Sequence, residues 1–545
     1  MPIISRSLSA LAALLALALA PPVAAQTTRA ERTGYRETST YADVLAFLDS
    51  LKATGAPIRT WEMAKTSEGR RVPVVLAARP LVASAEAARA SGKPIVYLQA
   101  NIHAGEVEGK EALQMLLRDL TRGPLQPLLD ELVLLVVPIY NADGNERFAP
   151  GEVNRPGQNG PAVVGRRANG QGLDLNRDYV KLEAPESRGS VDLVDRWDPT
   201  MVIDLHTTNG SYHGYALTWA PGLNANVTPA SRWTQDVFLP EVQKRMRGRH
   251  RLETFPYGNF RNQEPDSLRQ GWETYDGRAR YGVNWAGLRG RLAILSEAYS
   301  NDPFERRVSA TYHFVHEILR LLVERRKEAL ALTRPGTLVR AAGLGDSVAL
   351  RSELAPPRRA KVIAELTAST GQGTHGFAPR RRTGEFRRVE MPVWDRFRPT
   401  LVRALPLGYL VPDRLQTTVE LLRRHGVAVT ELRGGWPART ERFTIDSIAR
   451  APRKFEGHAT LAVEGRWAAA GAAETAATAK GRWYYVSAAQ PLGLFAAYLL
   501  EPESEDGLVT WNVLDDELRK GRAYPILRVT GPPPRAATRD GKPEE

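Results

Sequence analysis

The chain has 545 residues, of which 43% are hydrophobic and 25% charged, and its formal net charge is +13. That length predicts two or three domains, and that composition is typical of a soluble globular protein with a sizeable core. The chain has no cysteine, which excludes disulfides and thiolate metal ligands, so any metal has to be held by His, Asp or Glu.

Residues 1–25 have the pattern of a secretory signal peptide. A single Arg is followed by an apolar stretch from Leu8 to Ala20 and then by small residues, so we expect cleavage after Ala25. The apolar stretch is too short to span a bilayer comfortably, and no transmembrane anchor is expected after cleavage. An exported chain without cysteine fits a bacterial periplasmic or secreted protein.

Apolar strands and helical patterns alternate between residues 35 and 330. Helices are predicted at 41–54, 107–121 and 309–330, and strands at 70–78, 94–100, 131–140, 200–205 and 291–297. This alternation predicts an α/β domain over residues 26–330, with a mixed, largely parallel sheet flanked by helices. Functional sites in such sheets lie at the carboxyl ends of strands, where each strand from residue 94 onward runs into polar residues.

The first polar segment is NIHAGEVEG, residues 101–109. His103 and Glu106 lie three residues apart where a strand turns into a helix, so both side chains project to one side. An imidazole and a carboxylate suit Zn²⁺. The pair alone is a weak signal, because His250 and Glu253 have the same spacing.

His206 follows the strand at 200–205, in the segment MVIDLHTTNG. A catalytic zinc takes three protein ligands and leaves one position open, and His103, Glu106 and His206 supply three. Taken alone, His206 is equally consistent with a buried structural histidine.

Two further segments offer groups that suit a hydrolytic site. In GLDLNRDY (172–179), Asn176 and Arg177 suit a carboxylate ligand, and Asp174 could orient a ligating histidine. Glu297 ends the strand LAILSE, where a carboxylate is unfavourable unless it has a partner or a function. It could form a structural ion pair or take a proton from a metal-activated water.

Five segments, HAGE, NADG (141–144), LDLNRD, DLH and LSEAY, occur in one order and at strand ends. In these segments residues 35–330 resemble the zinc carboxypeptidase family, the carboxypeptidase A-like metallopeptidases. The resemblance implies one Zn²⁺ per chain, bound by His103, Glu106 and His206. It also implies that Asp174 hydrogen-bonds His103.

The resemblance further implies a metallopeptidase that removes C-terminal residues from peptides with a free C-terminus. Glu297 would be the general base and then the acid, and Asn176 and Arg177 would bind the terminal carboxylate. An Arg before the LDLNRD segment would polarise the scissile carbonyl. The candidates are Arg166 and Arg167.

A tyrosine upstream of Glu297 would close over the substrate, and both Tyr275 and Tyr281 fit, with Tyr275 preferred. One departure from the family pattern is Asp178, which would add a negative charge near the carboxylate anchor. That departure bears on the choice of substrate more than on catalysis.

Residues 331–530 have shorter strands and many arginines, and they predict a β-rich or α+β accessory domain. We expect this domain to shape access to the site or to tether the enzyme. Its positive charge fits either a solvated surface or contact with an anionic cell envelope, and no nucleic-acid partner is expected. Residues 531–545 are expected to be a disordered tail.

Two other motifs are weak. GQGTHG (371–376) fits a dinucleotide fingerprint but lacks the helix that has to follow it. HFVHE (313–317) places His313 and His316 on an amphipathic helix without the HExxH order of a zinc protease.

Two alternative functions remain open. Deacylases and amidases that act on N-acyl amino acids or on peptidoglycan stem peptides share the HxxE, DLNR and DLH pattern. A non-catalytic envelope-binding module belongs to another class, and the loss of Glu297 or of a zinc ligand would indicate it.

Overall fold

The structure is a computed structural model, and it describes residues 26–337, 347–369, 380–432, 439–470 and 482–531. The predicted signal peptide, the segment GQGTHG and all of the predicted tail except Gly531 lie outside these ranges. Within them, no helix combines the length and the apolar character that crossing a membrane requires.

The centre of the molecule is an eight-stranded mixed sheet. Its strands are β1 (Ile58–Lys65), β2 (Arg71–Ala77), β3 (Ile95–Ala100), β4 (Val133–Val137), β7 (Met201–Thr207), β8 (Leu217–Pro221), β9 (Thr254–Pro256) and β12 (Leu292–Ala298). They lie in the order β1-β2-β4-β3-β7-β12-β8-β9, and the central four, β4, β3, β7 and β12, are mutually parallel. The predicted fold class is confirmed.

Helices cover both faces of this sheet. The α-helices of residues 26–337 are α1 (Arg29–Arg32), α2 (Tyr41–Ala53), α3 (Ala85–Ala90), α4 (Glu108–Arg122), α5 (Leu128–Glu131), α6 (Ala142–Glu146), α7 (Gly151–Asn154), α8 (Pro185–Trp197), α9 (Pro229–Trp233), α10 (Leu239–His250), α11 (Gly282–Leu288), α12 (Phe304–Glu324) and α13 (Arg326–Thr333). The predicted helix at 309–330 is thus two helices, which meet at Arg325.

The four parallel strands β3, β4, β7 and β12 are buried along their whole length, which explains why they read as continuous apolar runs. Along β3, Val96 and Leu98 join the core beneath α2, α4, α10 and α12. Ile95 and Tyr97, which point the other way, join the core beneath α3, α8 and α11.

The second core continues into residues 347–531, here called the C-terminal region. The strands of this region are β13 (Ser347–Leu354), β14 (Arg358–Ser369), β15 (Arg380–Trp394), β16 (Phe397–Ala404), β17 (Gly408–Pro412), β18 (Thr430–Leu432), β19 (Thr440–Arg450), β20 (Leu461–Ala469), β21 (Trp483–Ser487) and β22 (Leu527–Val529). Its helices are α14 (Gln416–Arg424) and α15 (Gly493–Leu500). The region is β-rich, as the sequence predicts.

The C-terminal region shares a sheet with the preceding part of the chain. Short strands β10 (Asn259–Phe260) and β11 (Trp272–Glu273) lie beside β15 and β14 in a four-stranded sheet. The remaining strands of the C-terminal region form a two-stranded and a six-stranded sheet, and β5 (Ala149–Pro150) pairs with β6 (Val163–Val164). The division at residue 330 into two domains stays a prediction.

Candidate metal centre

A cavity of about 150 Å³ lies at the carboxyl ends of β3, β7 and β12. The parallel register places Ala100 beside Leu205, and Glu297 beside His206. Of the residues predicted from the sequence, the cavity is lined by His103, Glu106, Arg167, Asn176, Arg177, His206, Tyr275, Tyr281 and Glu297.

His103, Glu106 and His206 form one buried cluster, in which one ligand atom from each lies within 4.8 Å of the others. His103 Nδ1 is 3.1 Å from Glu106 Oε1, and His206 Nδ1 is 2.9 Å from Glu106 Oε2. The Nδ1 atoms of both histidines therefore face the carboxylate. Two imidazoles and a carboxylate that converge in this way fit a catalytic zinc site with one open position.

Each histidine has a carboxylate on its other ring nitrogen. His103 Nε2 lies 3.0 Å from Asp174 Oδ1, and His206 Nε2 lies 2.9 Å from Asp204 Oδ2. The contact of Asp174 is a hydrogen bond, which fixes the tautomer and the ring orientation of a metal-binding histidine, and the contact of Asp204 is a close ion pair. The contact between Asp174 and His103 is the one that the family resemblance implies.

Two arginines face Glu106. Arg155 Nη1 donates to Glu106 Oε1 at 3.0 Å, and Arg167 Nη1 donates to the same oxygen at 3.4 Å. Burial by itself would raise the pKa of Glu106, but His103, Arg155 and His206 outweigh burial and hold that pKa well below its usual range. Glu106 is therefore ionised and able to bind a cation.

The approach of Arg155 depends on Gly105. A Cβ at position 105 would lie 2.5 Å from Arg155 Cγ and 2.9 Å from the carbonyl oxygen of Gly165. Arg155 Nη2 also donates to the carbonyl oxygens of Thr207 and Thr208. A single buried guanidinium thus ties the loop that carries Glu106 to the end of β7.

Glu297 is the second carboxylate in the cavity. Burial raises the pKa of Glu297 to about 8, and the nearby Glu106 carboxylate adds to this effect, whereas His206, Arg155 and Arg167 oppose it. A carboxylate with a raised pKa can accept a proton and deliver it again near neutral pH. This is the property that a general base of a hydrolase needs.

Asn176 and Arg177 follow Asp174 in a short 3-10 helix, Leu175–Arg177. Asn176 Oδ1 accepts a hydrogen bond from the Gly282 N–H at 2.9 Å. The Arg177 guanidinium lies 4.1 Å from the ring centre of Tyr281. An amide and a guanidinium side by side can bind a carboxylate.

The two candidate arginines occupy different environments. Arg167 donates twice to Asp174 Oδ2, at 3.0 and 2.9 Å, and lines the cavity. Arg166 is exposed and does not line the cavity. The two candidate tyrosines both line it, and the Tyr275 hydroxyl donates to Asn284 Oδ1 at 3.1 Å.

Asp178 does not face the cavity. Its carboxylate accepts hydrogen bonds from the N–H groups of Glu183 and Ala184, at 3.0 and 2.8 Å, at the start of α8. The Asp178 carboxylate therefore binds backbone N–H groups and does not place the expected negative charge in the cavity beside Asn176 and Arg177.

Several residues of the site are not predicted from the sequence, namely Arg155, Asp204, Asn209, Tyr257 and Leu295. Asp204 could have been found, because it lies two residues before His206 on one strand and so on the same face. Arg155 lies in a loop without a motif, and no local pattern points to it. His250, His313 and His316 lie together on α10 and α12 and do not line the cavity.

Comparison with known proteins agrees with the resemblance. Residues 44–199 match the zinc carboxypeptidase family model. Carboxypeptidase 2 of Trichophyton rubrum is 23% identical over 485 residues, which is 85% of this chain and 81% of that protein. Carboxypeptidase D of Mus musculus is 29% identical over 185 residues, which is 29% of this chain and 13% of that protein.

Among solved structures, a metallo-carboxypeptidase from Burkholderia cenocepacia aligns with a TM-score of 0.40 at 17% identity. The alignment covers 53% of this chain and 70% of that one. The predicted resemblance to the zinc carboxypeptidases is confirmed by the family and sequence matches. Zinc carboxypeptidases are hydrolases, so these matches also confirm the prediction of a hydrolase.

Proposed function

We propose that this protein is a zinc-dependent metallocarboxypeptidase that removes residues from the C-terminus of peptides. The observation that carries the proposal is the arrangement of one cavity. His103, Glu106 and His206 converge on one point, and Glu297 and the pair Asn176–Arg177 line the same space. A small cavity lined by a carboxylate-binding pair suits the end of a peptide rather than its middle.

In this proposal His103, Glu106 and His206 hold one zinc ion. The donor set, with both Nδ1 atoms facing Glu106, supports such binding. When bound, zinc supplies Lewis-acid chemistry, which lowers the pKa of water and polarises a carbonyl group.

Asn176 and Arg177 bind the terminal carboxylate of the substrate. Arg177 is oriented by the hydrogen bond from its Nη1 to the Asn176 carbonyl oxygen at 2.8 Å and by the ring of Tyr281. This contact sets the position of the scissile bond, since the last peptide carbonyl lies at a fixed distance from the terminal carboxylate.

Glu297 accepts a proton from the attacking water and then donates it to the leaving amine. Arg167 donates hydrogen bonds to the carbonyl oxygen as negative charge develops there. Arg167 is suited to this role because Asp174 holds its guanidinium at the cavity wall. Tyr275 or Tyr281 closes over the bound residue.

The alternative function is that of a deacylase or amidase that acts on N-acyl amino acids or stem peptides. A purified protein with zinc restored should be tested on matched peptides with a free or an amidated C-terminus and on N-acyl amino acids. We expect release of the C-terminal residue from the free peptides alone. Hydrolysis of N-acyl amino acids or stem peptides without cleavage of ordinary peptides would support the deacylase or amidase. A protein that binds no zinc and hydrolyses none of these substrates would support a non-catalytic binding module.

We also propose that the protein is exported to the periplasm or the medium. Residues 1–25 support this proposal through their signal pattern. N-terminal sequencing of the protein from a cell fractionation tests it. Export predicts an N-terminus at Gln26 outside the cytoplasm, and an uncleaved protein in the cytoplasm contradicts it. The net charge of +13 supports contact with an anionic envelope.

A further inference from the structure

Asp506 of the C-terminal region is a fully buried carboxylate. It contacts Arg280 in residues 26–337, here called the catalytic part of the chain. Its Oδ2 accepts a hydrogen bond from the backbone N–H of Arg280 at 2.6 Å, and its Oδ1 accepts one from Arg280 Nε at 2.9 Å. Trp511 Nε1 donates to Oδ1 as well, at 2.9 Å. Asp506 thus fixes both the backbone and the side chain of Arg280.

The residues that follow Arg280 belong to the cavity. The ring of Tyr281 lies against the Arg177 guanidinium, and the Gly282 N–H donates to Asn176 Oδ1. The side chains of Asn176 and Arg177, which form the carboxylate anchor, are therefore oriented by the two residues that follow Arg280.

The segment that carries these contacts has no regular secondary structure of its own. Residues 274–281 connect β11 to α11 without a helix or a strand. The position of such a segment is set by its side-chain and backbone tethers. The Arg280 guanidinium, which also lies 4.6 Å from the ring centre of Trp511, is a buried tether of this kind.

We propose that Asp506 is a positioning residue of the carboxylate anchor and acts through Arg280. This inference rests on the proposed function, because it assigns a partner to the anchor of that same site. The C-terminal region then does more than shape access or tether the enzyme. It supplies a charge that sets the geometry of Asn176 and Arg177 for substrates with a free C-terminus.

The test compares three small ligands on zinc-loaded, full-length protein. 3-Phenylpropanoate reports on the anchor, 3-phenylpropanamide is its uncharged match, and acetohydroxamate reports on the zinc site alone. We expect Asp506→Asn to raise the Kd of 3-phenylpropanoate about tenfold or more, as loss of one well-oriented charge-assisted hydrogen bond does. The Kd of acetohydroxamate and the zinc content should stay within about twofold of wild type.

Asp195→Asn is the matched control. Asp195 pairs with Arg289, whose Nη1 donates to the His425 carbonyl oxygen, so this pair also lies between the two parts of the chain. It makes no contact with Arg280 that the structure records, and it should leave all three affinities near wild type.

If Asp506→Asn does not fold, Arg280→Lys is the variant that tests the proposal. Lys keeps the positive charge but loses the paired N–H donors that the guanidinium offers to Asp506. Unchanged affinity for 3-phenylpropanoate in the folded variants, or an equal loss for all three ligands, would overturn the role of Asp506. A wild-type protein that binds no zinc contradicts the proposed function itself, so the two failures are distinguishable.

Discussion

Single carboxylates that contact the metal-binding histidines determine how firmly those histidines are oriented. Asp204 lies against His206 as Asp174 lies against His103. We predict that Asp204→Asn lowers zinc affinity about 10- to 100-fold, the range expected for loss of a carboxylate that orients a ligating histidine. Chelator competition measures the affinity, and Asp195→Asn is the control. Equal zinc affinity in Asp204→Asn and the control would contradict the role of Asp204.

Neighbouring arginines should differ sharply in their effect on catalysis. We predict that Arg167→Ala lowers kcat/KM about 10²- to 10³-fold, because Arg167 lines the cavity and can donate to the developing oxyanion. Arg166→Ala should change kcat/KM less than about twofold, since exposed Arg166 does not line the cavity. Steady-state kinetics on one free peptide measures both, and the reverse order of effects would exclude Arg167 from this role.

Residue identities in the site were predictable where a strand ends in a motif. His103, His206 and Glu297 each follow an apolar run, and the structure brings all three to one cavity. Arg155 was not predictable, because its contact with Glu106 spans 49 residues and comes from a loop whose path no local pattern specifies. Tyr257 joins the cavity through a strand of three residues, too short for periodicity to reveal.

At the scale of elements, the order of strands explains why distant motifs meet. β12 lies beside β7 in parallel register, so Glu297 comes opposite His206 although 91 residues separate them in sequence. The sequence predicts the strands and their carboxyl ends, but it does not predict that β11 pairs with β15. That pairing joins two residues to a strand more than a hundred positions away, where side-chain alternation gives no signal.

One buried histidine at an element boundary gives a test of stability against pH. His425 follows α14, and burial together with Arg289 lowers the pKa of His425 to about 3. The unfolded chain binds this proton near pH 6.5, so the folded state loses stability as pH falls from there towards 3. We predict that His425 contributes about 2 kcal/mol of the stability lost between pH 7 and pH 5.

The measurement is denaturant unfolding of wild type and of His425→Gln at both pH values. His425 Nε2 lies 3.1 Å from the Val180 carbonyl oxygen, and the amide of Gln can donate to the same oxygen. The variant should lose about 2 kcal/mol less than wild type on acidification. Parallel losses in the two proteins would show that His425 does not titrate in this range.

At the scale of the whole molecule, the C-terminal region and the catalytic part share one core. Val348, Phe495 and Trp511 belong to the same apolar cluster as Tyr179 and Trp285. Removal of the C-terminal region would expose this surface and leave Arg280 without its buried partner.

We therefore predict that a chain that ends at Thr337 neither folds stably nor binds zinc with wild-type affinity. Circular dichroism, a thermal melt and a zinc titration measure this. A truncated chain with a wild-type melting temperature and wild-type zinc affinity would show instead that the C-terminal region is a separable accessory domain.

The proposed function makes Glu297 the general base of a zinc-dependent hydrolase. The most direct test of this role compares the variant Glu297→Gln with wild type. Zinc content and the rate of release of the C-terminal residue from one free peptide are measured on the same preparations. We predict one zinc per chain in both proteins and a kcat about 10²- to 10⁴-fold lower in the variant, the range for loss of a general base. A variant that hydrolyses the peptide at the wild-type rate, or a wild type that binds no zinc, would contradict this assignment.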